Sequence, residues 1–563
     1  MKYLNSFKTL FLSLLFLLFS GSLFCQTKYQ KIEMLSKMWG FLKYHHPAVA
    51  SGKFDWDSVY IENLSQIEKT TSNAEFNKEL LSIINNLGPL QKNQPARRPD
   101  SVFVRNYDLE WMKKSKFLNA ALKNRLKEVY QYRNQGENKY ININYIPDFN
   151  IEIKYENMGF PNQKLRLLLL SRFWNIINYF APYKYLIGED WDQVLRRFIP
   201  KFISSADTIS YYKTLLELAK SVHDGHAQFE ISYQNAEINN FVFGKYTVPF
   251  YCQIIDGSVI VRKTGNDTLC NKAGIQQGDI ILKVDNETIA KQIFQKKRFI
   301  SASNKLSEDY YLSWVILNGP ADLAQLTIKR GNKVFETSIE RISSSQNFQK
   351  NWRDIINYTG NDVGYKKISD SILLIYAAGI QERNLDTLKY MINRSKAVIF
   401  DVRNYPTNDA FIYIADPFLP KPKIINYSTI ALPDFPGLFK WKPSPEIGHI
   451  NNNAYKGKVI ILADERTQSQ GEYSCMVLQT IPNSITIGIQ TAGADGVKTY
   501  IPMGGKLALS YSGYGIYYPD KTETQRRGIR IDIPVKKTIE SVINDQDVIL
   551  DEALKYLKAK GID

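Results

Sequence analysis

The period of the apolar residues changes along this chain and divides it into regions of different predicted structure. In residues 35–44 and 170–179, apolar residues recur every three or four positions, which is typical of amphipathic helices. Residues from about 240 to 345 instead contain several short strand-like runs. Beyond residue 351, short apolar runs alternate with helical patterns. The expected fold is a multidomain α/β protein with helical N-terminal modules, a β-rich middle domain and a C-terminal α/β domain with a partly parallel sheet.

The C-terminal region has the clearest strand and helix pattern. The apolar run at 459–462 is rich in β-branched residues, which is typical of a strand covered on both faces. Further strands are predicted at 371–376, 397–400, 485–488 and 506–510, and helices near 385–393 and at 472–479.

The helical region contains an internal repeat. Residues 35–44 align with residues 170–179, and Trp56 aligns with Trp191, all at an offset of 135 residues. Only the second copy ends in an Asp-Gly-His element, and Gln91 occupies the position equivalent to its histidine, His226. The first copy is therefore predicted to be a structural duplicate that covers the active-site face or helps to bind substrate.

Length and charge narrow the function classes. A chain of 563 residues with 44% hydrophobic and 13% aromatic residues is predicted to be globular and to form several domains. Its formal charge of +16 comes from 72 basic and 56 acidic residues spread along the whole chain. This pattern favours a solvated basic surface that can contact anionic cell surfaces or acidic substrates, and it argues against nucleic-acid binding.

The N-terminus has the pattern of a secretory signal. Lys2 and Lys8 precede an apolar stretch at 10–19 and small residues at 20–22, so residues 1–25 are predicted to be a signal peptide. The apolar stretch is short for a spanning helix, and no stable membrane span is expected after its removal. The protein is expected to be exported to the periplasm or the extracellular space, with a lipid anchor at Cys25 as an alternative. Cys252 and Cys270 could pair in such a compartment, and the sequence leaves this open.

Ser469 is the candidate nucleophile. It lies in a polar turn between the predicted strand at 459–462 and the predicted helix at 472–479. A serine at the start of a helix is near backbone N–H groups and the positive end of the helix dipole, as a nucleophile and its oxyanion hole require. The alternative is that Ser469 only caps the helix and forms a capping box with Glu472.

Several short motifs resemble those of the S41 peptidases, which include C-terminal-processing and tricorn-core-like serine proteases. They occur in that family's order: Asp-Gly-His at 224–226, Asp-x-Arg-Asn at 401–404, Ser-x-Gly-Glu at 469–472 and Thr-Ala-Gly at 491–493. Between the first two, residues 272–285 are similar to part of a PDZ domain. The internal repeat predicts a helical module at 26–150 and a second module with the Asp-Gly-His element at 151–238. The resemblance, which covers about residues 160 to 540, implies a PDZ-like domain at 239–345 and a peptidase core at 346–563.

The resemblance also implies roles for individual residues. The lysine of the Ser/Lys branch of the family would fall on Ala494, so the general base is expected to be the histidine of the tricorn-like branch, His226. A serine precedes that histidine in tricorn-like enzymes, whereas this chain has Gly225. The late supporting glutamate of those enzymes falls on Gln525, with Glu523 two residues away, and Glu472 is expected to have a structural or assisting role beside the nucleophile.

The oxyanion hole is expected to use the N–H of Gln470 and one from the loop after Arg403. Pro406 has no N–H, so Tyr405 or Thr407 would have to donate. These assignments predict an exported serine endopeptidase that acts on peptides or unfolded proteins and needs no metal or organic cofactor. The alternative is a catalytically degenerate peptide-binding protein on the same scaffold.

Overall fold

The structure is a computed structural model that describes residues 27–563, except residues 93, 96, 158, 232–239, 344–363 and 407–409. The predicted signal peptide, with Cys25, lies outside the described residues. Within these ranges, every helix is too short or too polar to cross a lipid bilayer.

Helices dominate the chain before residue 221, as the sequence predicts. The two long central helices are buried on nearly all sides, and both carry a segment of the predicted repeat. The helices are α1 (Lys28–His45), α2 (Pro47–Ala50), α3 (Trp56–Lys69), α4 (Asn73–Asn85), α5 (Glu110–Lys114), α6 (Ala120–Gln131), α7 (Gln163–Phe180), α8 (Trp191–Ser204) and α9 (Thr208–Lys220). The short strands are β1 (Val102–Phe103), β2 (Asn142–Ile143), β3 (Pro147–Asp148) and, after α9, β4 (Phe229–Ile231).

Equivalent positions of the predicted repeat make matching contacts. The indole Nε1 of Trp39 donates to the carbonyl of Trp56 at 2.8 Å, and that of Trp56 donates back at 3.0 Å. Trp174 and Trp191 make the same two bonds, at 2.7 and 3.0 Å. The two indoles therefore join α1 to the start of α3 in the first copy, and α7 to the start of α8 in the second.

Ion pairs cross between the two copies in a reciprocal way. Lys37 of α1 pairs with Asp192 of α8 at 2.7 Å, and the equivalent Arg172 of α7 pairs with Asp57 of α3 at 2.6 Å. Arg172 is fully buried. Burial opposes ionisation of Asp57, but the charges of Arg172 and Lys43 outweigh it, so the pKa of Asp57 is lowered. These two pairs, of which Arg172–Asp57 is buried on both sides, connect the two segments of the predicted repeat.

The middle region is an antiparallel sheet of order β11-β10-β8-β7-β6 around its own apolar core, and β9 pairs with β8. The short strands predicted here are therefore confirmed. Cys252 and Cys270 are both buried in this core as free thiols, so the disulfide is not formed. The elements are β5 (Tyr246–Thr247), β6 (Phe250–Ile255), β7 (Ser258–Thr264), α10 (Asp267–Lys272), β8 (Ile280–Val284), β9 (Glu287–Thr288), α11 (Ile289–Lys296), α12 (Lys305–Ser313), β10 (Leu323–Arg330), β11 (Lys333–Glu340) and β12 (Ile342–Ser343).

The C-terminal region is built on a six-stranded sheet of order β13-β14-β15-β20-β21-β25. Every neighbouring pair from β14 to β25 is parallel and β13 is antiparallel, which confirms a partly parallel sheet. The elements are β13 (Tyr365–Lys367), β14 (Ile372–Tyr376), α13 (Leu385–Asn393), β15 (Ala397–Asp401), α14 (Ala410–Ala415), β16 (Lys423–Ile424), β17 (Tyr427–Ala431), β18 (Phe439–Pro443), β19 (Glu446–Ile447), β20 (Lys458–Ala463), α15 (Gln470–Gln479), β21 (Ser484–Gly488), β22 (Lys498–Pro502), β23 (Leu507–Ser512), β24 (Gly515–Tyr517), β25 (Ile533–Pro534), α16 (Ile539–Ile543) and α17 (Val548–Ala559).

Alternate residues of β20 enter two different apolar clusters. Val459 and Ile461 pack with the residues of α13, α14 and α15, whereas Ile460 and Leu462 pack with those of α17. Both faces of the strand are therefore covered, which explains its continuous apolar run.

We expect Asp57→Ala to lower the free energy of unfolding of the helical region by about 3–5 kcal/mol, because Arg172 would remain buried with its charge only partly compensated. Chemical denaturation followed by tryptophan fluorescence measures the change. Glu110→Ala removes an acid whose lysine partners are largely exposed, and it should change stability little. Equal losses in the two variants would contradict the role of the buried pair.

Candidate active site

Ser469 lies where β20 gives way to α15, in a strained backbone conformation. Its φ is +53° and its ψ is −120°, whereas an ordinary helix N-cap has extended backbone angles. A non-glycine residue in such a region costs about 1–3 kcal/mol and is retained where the surroundings enforce it. Here the N–H of Ser469 donates to the carbonyl of Ala494 at 3.0 Å, and the N–H of Tyr473 donates to the carbonyl of Ser469 at 2.9 Å. Ser469 and Glu472 also form the capping box given above as the alternative, so this serine caps α15 from a backbone conformation that an ordinary N-cap does not adopt.

The carboxylate of Glu472 joins the start of α15 to the loop that follows β21. It accepts hydrogen bonds from Thr491 Oγ1 (2.5 Å), from the N–H groups of Gly493 (2.8 Å) and Ala494 (2.9 Å), and from the N–H of Ser469 (3.3 Å). Burial raises the pKa of Glu472 to about 7, although these donors favour the ionised form. The carboxylate is fully buried, and its hydrogen bond from the N–H of Ser469 stabilises the backbone of that residue.

His226 comes from the end of the helical region and reaches the C-terminal region through strand pairing. β4, which starts three residues later, pairs antiparallel with β23. The Nδ1 atom of His226 lies 3.0 Å from the Oγ of Ser512, at the end of β23. The carboxylate of Asp224 accepts from the N–H of His226 at 2.9 Å and from the N–H of Ser512 at 2.8 Å. Asp224 therefore fixes both partners of the contact between the ring and the hydroxyl.

Gly225 leaves little room for the serine that precedes the histidine in tricorn-like enzymes, because a Cβ atom there would make unusually tight contacts. A Cβ atom built on Gly225 would lie 3.0 Å from the Cβ of Ala494 and 3.2 Å from Nε2 of Gln468. The same alanine that replaces the lysine of the Ser/Lys branch thus packs against this glycine. The two departures from the family pattern are in contact with one another.

Ser469 and His226 line the same open cleft, which has a volume of about 700 Å³. Gln470 and Tyr405, the residues predicted for the oxyanion hole, line it as well. The other lining residues are Gln228, Ile412, Gln468, Tyr473, Asp495, Gly496, Val497, Lys498, Tyr500, Tyr514 and Ile516. Residues from motifs more than 200 positions apart are therefore brought to one cleft.

Gln525 and Glu523, the two residues considered for the late supporting position, have different hydrogen-bond partners. Gln525 is buried, and its Nε2 donates to the Oγ of Ser303 at 3.4 Å, which also accepts from the N–H of Gly225 at 2.8 Å. Gln525 thus contacts the His226 segment through Ser303. Glu523 instead accepts from Arg105 and Tyr185, at 2.8 and 3.1 Å, and joins the C-terminal region to the helical region.

The loop after Arg403 is described only in part. Asn404 is buried, and Tyr405 is 53% exposed at the rim of the cleft. Thr407, the other predicted donor, lies outside the described residues. Arg403 itself pairs with Asp401 and Asp547, which holds the start of the loop to the core.

The sequence analysis did not predict three polar residues of this region. Asp224 belongs to a recognised motif, but its bridging role depends on Ser512, which is 288 positions away. Asp495 lines the cleft in a segment that has no recognised catalytic spacing.

Among the described residues, no group of three or more histidine, cysteine and acidic side chains could hold a metal ion.

Comparisons with known proteins identify the C-terminal region. Residues 363–535 match the model of Peptidase family S41. The chain is 25% identical over 300 residues to a carboxy-terminal-processing protease of Bartonella bacilliformis, a match that covers 51% of this chain and 61% of that protein. It is 21% identical over 355 residues to a probable CtpA-like serine protease of Staphylococcus haemolyticus, a match that covers 61% and 64% of the two chains. The chain thus spans less than two thirds of the length of either relative.

The fold is also similar to a solved structure. Mature CPAF in complex with lactacystin superposes with a TM-score of 0.54 at 12% identity, over 70% of this chain and 98% of that chain. This similarity concerns the fold alone. Residues 363–535 are therefore similar to peptidase family S41, the family of serine-type peptidases whose motifs the sequence resembles.

Proposed function

We propose that this protein is an exported serine endopeptidase in which Ser469 is the nucleophile and His226 the general base. The observation that carries the proposal is that both residues line one cleft while the backbone of Ser469 is held at the strained start of α15. The family match supports peptide-bond hydrolysis as the reaction. The names of the two relatives describe a carboxy-terminal-processing protease and a probable CtpA-like serine protease, and the proposed substrates are accordingly polypeptides or unfolded proteins.

In this mechanism the contact with Ser512 sets the tautomer of His226. With the proton on Nδ1 shared with the hydroxyl of Ser512, Nε2 is the basic nitrogen and removes the proton of Ser469. The Ser469 oxygen attacks the peptide carbonyl, and the imidazolium then protonates the leaving amine. Water then attacks the acyl-enzyme while His226 removes its proton, the ester bond to Ser469 breaks, and the imidazolium returns the proton to the serine oxygen as the carboxylic acid product leaves. The N–H of Gln470, at the positive end of the α15 dipole, and the segment around Tyr405 stabilise the oxyanion.

Glu472 and Gln525 act as supports in this proposal. Glu472 holds the strained backbone of Ser469, and its buried position makes it an anchor rather than a proton donor to substrate. Gln525 positions the segment before His226 through Ser303.

We also propose roles for the N-terminal segment, the β-rich region and the first copy of the helical module. Residues 1–25 direct export, and the alternative is a lipid anchor at Cys25. The β-rich region within 239–345 is a PDZ-like domain that binds polypeptide by strand addition. The matching indole bonds and reciprocal ion pairs support an internal duplication of the helical module, in which the first copy has a structural role.

Ser469→Ala and His226→Ala should each lower the rate of hydrolysis of an unfolded protein substrate by at least about a thousandfold. Products are read by mass spectrometry, and a fluorophosphonate probe should label the native protein but not the Ser469→Ala variant. Ser210→Ala, which changes a serine in the capping box of α9, is the control and should remain active. No cleavage and no labelling by the folded native protein would favour the peptide-binding alternative.

Ser512→Ala should lower kcat/KM by about tenfold, because the ring of His226 loses one neutral hydrogen bond. The acidic limb of the pH profile should also move to lower pH, since the imidazolium would lose an acceptor. Ser512→Thr keeps the hydroxyl and should restore part of the rate. An unchanged pH profile in Ser512→Ala would contradict the positioning role.

The raised pKa of Glu472 predicts a stability that falls as pH rises. Between its ordinary value of 4.5 and its folded value of about 7, the folded protein binds a proton that the unfolded chain has released. The contribution of Glu472 is therefore full below about pH 4.5 and is lost as pH rises through about 7, a change of about 3 kcal/mol. Thermal unfolding at pH 5 and pH 8 should show a larger loss in the native protein than in Glu472→Gln. Identical pH responses would show that Glu472 does not titrate in this range.

A further inference from the structure

Asp495 is a buried acid in the wall of the cleft, and one of its oxygens has no described partner. Only 3% of the surface of the residue is exposed. Oδ1 accepts the N–H of Gly496 at 2.7 Å. Oδ2 has no hydrogen-bond partner among the described residues. Asp495 nevertheless lines the same cleft as Ser469 and His226.

A buried carboxylate with an unpaired oxygen is unfavourable unless a hydrogen-bond donor or a cation compensates it. Burial, and then the nearby charge of Glu472, raise the pKa of Asp495 well above its ordinary value. Buried polar atoms are almost always paired in folded proteins, so an unpaired oxygen at a cleft points to a partner that arrives from outside. A cation is the partner that a buried carboxylate binds most strongly.

The walls around Asp495 suit a long side chain with an apolar stem. The aromatic rings of Tyr473 and Tyr514 and the aliphatic side chain of Ile516 line the cleft beside it. Asp495 is the one acid among the described residues that line the cleft. The cation Lys498 also lies there, and its Nζ donates to Oε1 of Gln228 at 2.9 Å. The cleft therefore combines a buried acid with apolar and aromatic walls, next to the nucleophile.

We propose that Asp495 forms the base of a specificity subsite that binds the cationic side chain of lysine or arginine in a polypeptide substrate, at the residue whose carbonyl Ser469 attacks. This inference rests on the proposed peptidase function. The methylene stem packs between the tyrosine rings, and the cationic head pairs with Oδ2 of Asp495. A neutral side chain of the same length leaves that oxygen unpaired, which is the source of discrimination.

The test uses two pairs of otherwise identical peptides, one with lysine or norleucine and one with arginine or citrulline at the cleaved position. The native protein should hydrolyse the cationic member of each pair with a kcat/KM about 10- to 100-fold higher. In Asp495→Asn, which keeps the size of the side chain, this ratio should fall to near one. Asp520→Asn, which changes an exposed acid outside the cleft, is the control and should keep the native ratio.

Equilibrium binding to Ser469→Ala separates failure of this inference from failure of the proposed function. If the native protein cuts nothing, tighter binding of the lysine peptide than of the norleucine peptide, lost when Asp495→Asn is added, still supports the subsite. Equal binding of the two peptides would overturn it. Among active proteins, a native ratio near one, or an equal loss on both members of a pair in Asp495→Asn, would also overturn it.

Discussion

The buried carboxylate of Glu472 is the constraint on which the backbone of Ser469, the proposed nucleophile, depends. Two oxygens accept four hydrogen bonds, three of them from the loop at 491–494 and one from Ser469 itself. The same loop returns a carbonyl, that of Ala494, to the N–H of Ser469. A positive φ at a serine is sustained because these bonds would be lost if the backbone relaxed. The residue that follows the loop is Asp495, so the hydrogen bonds of Glu472 that hold the backbone of Ser469 also set the position of the acid in the cleft wall.

The position of His226 depends instead on the pairing of two strands that are far apart in the chain. β4 lies beside β23, and this register brings Ser512 to the ring of His226. Asp224 accepts an N–H from each side of the pair and so couples the helical region to the core. The reciprocal ion pairs between α1, α3, α7 and α8 stiffen the region from which His226 comes. A rigid helical region is useful here because the catalytic geometry spans two structural units.

The sequence pattern was sufficient to predict which residues lie where a strand is followed by a helix. Ser469 and Gln470 follow a buried strand and start a helix, and that transition is visible in the apolar pattern. His226 and Tyr405 were found through short family motifs, and the structure brings both to the cleft. Ser512 has no such signature, because it lies in an ordinary strand and matters only through its neighbour. Gln525 was predicted from a late supporting position of the family pattern, and its side chain contacts Ser303, which no linear spacing indicates.

The sequence by itself determined the elements and their classes: the helical repeat, the β-rich middle region, the partly parallel sheet, and the serine and histidine motifs. These follow from short-range periodicity, since each strand or helix must present its apolar residues to a core. Only the tertiary structure decided which polar groups meet: Ser512 with His226, Ala494 with Gly225, and Asp495 with the cleft. The physical reason is that burial and hydrogen bonding depend on the distances between segments, and strand pairing across almost 300 residues sets those distances.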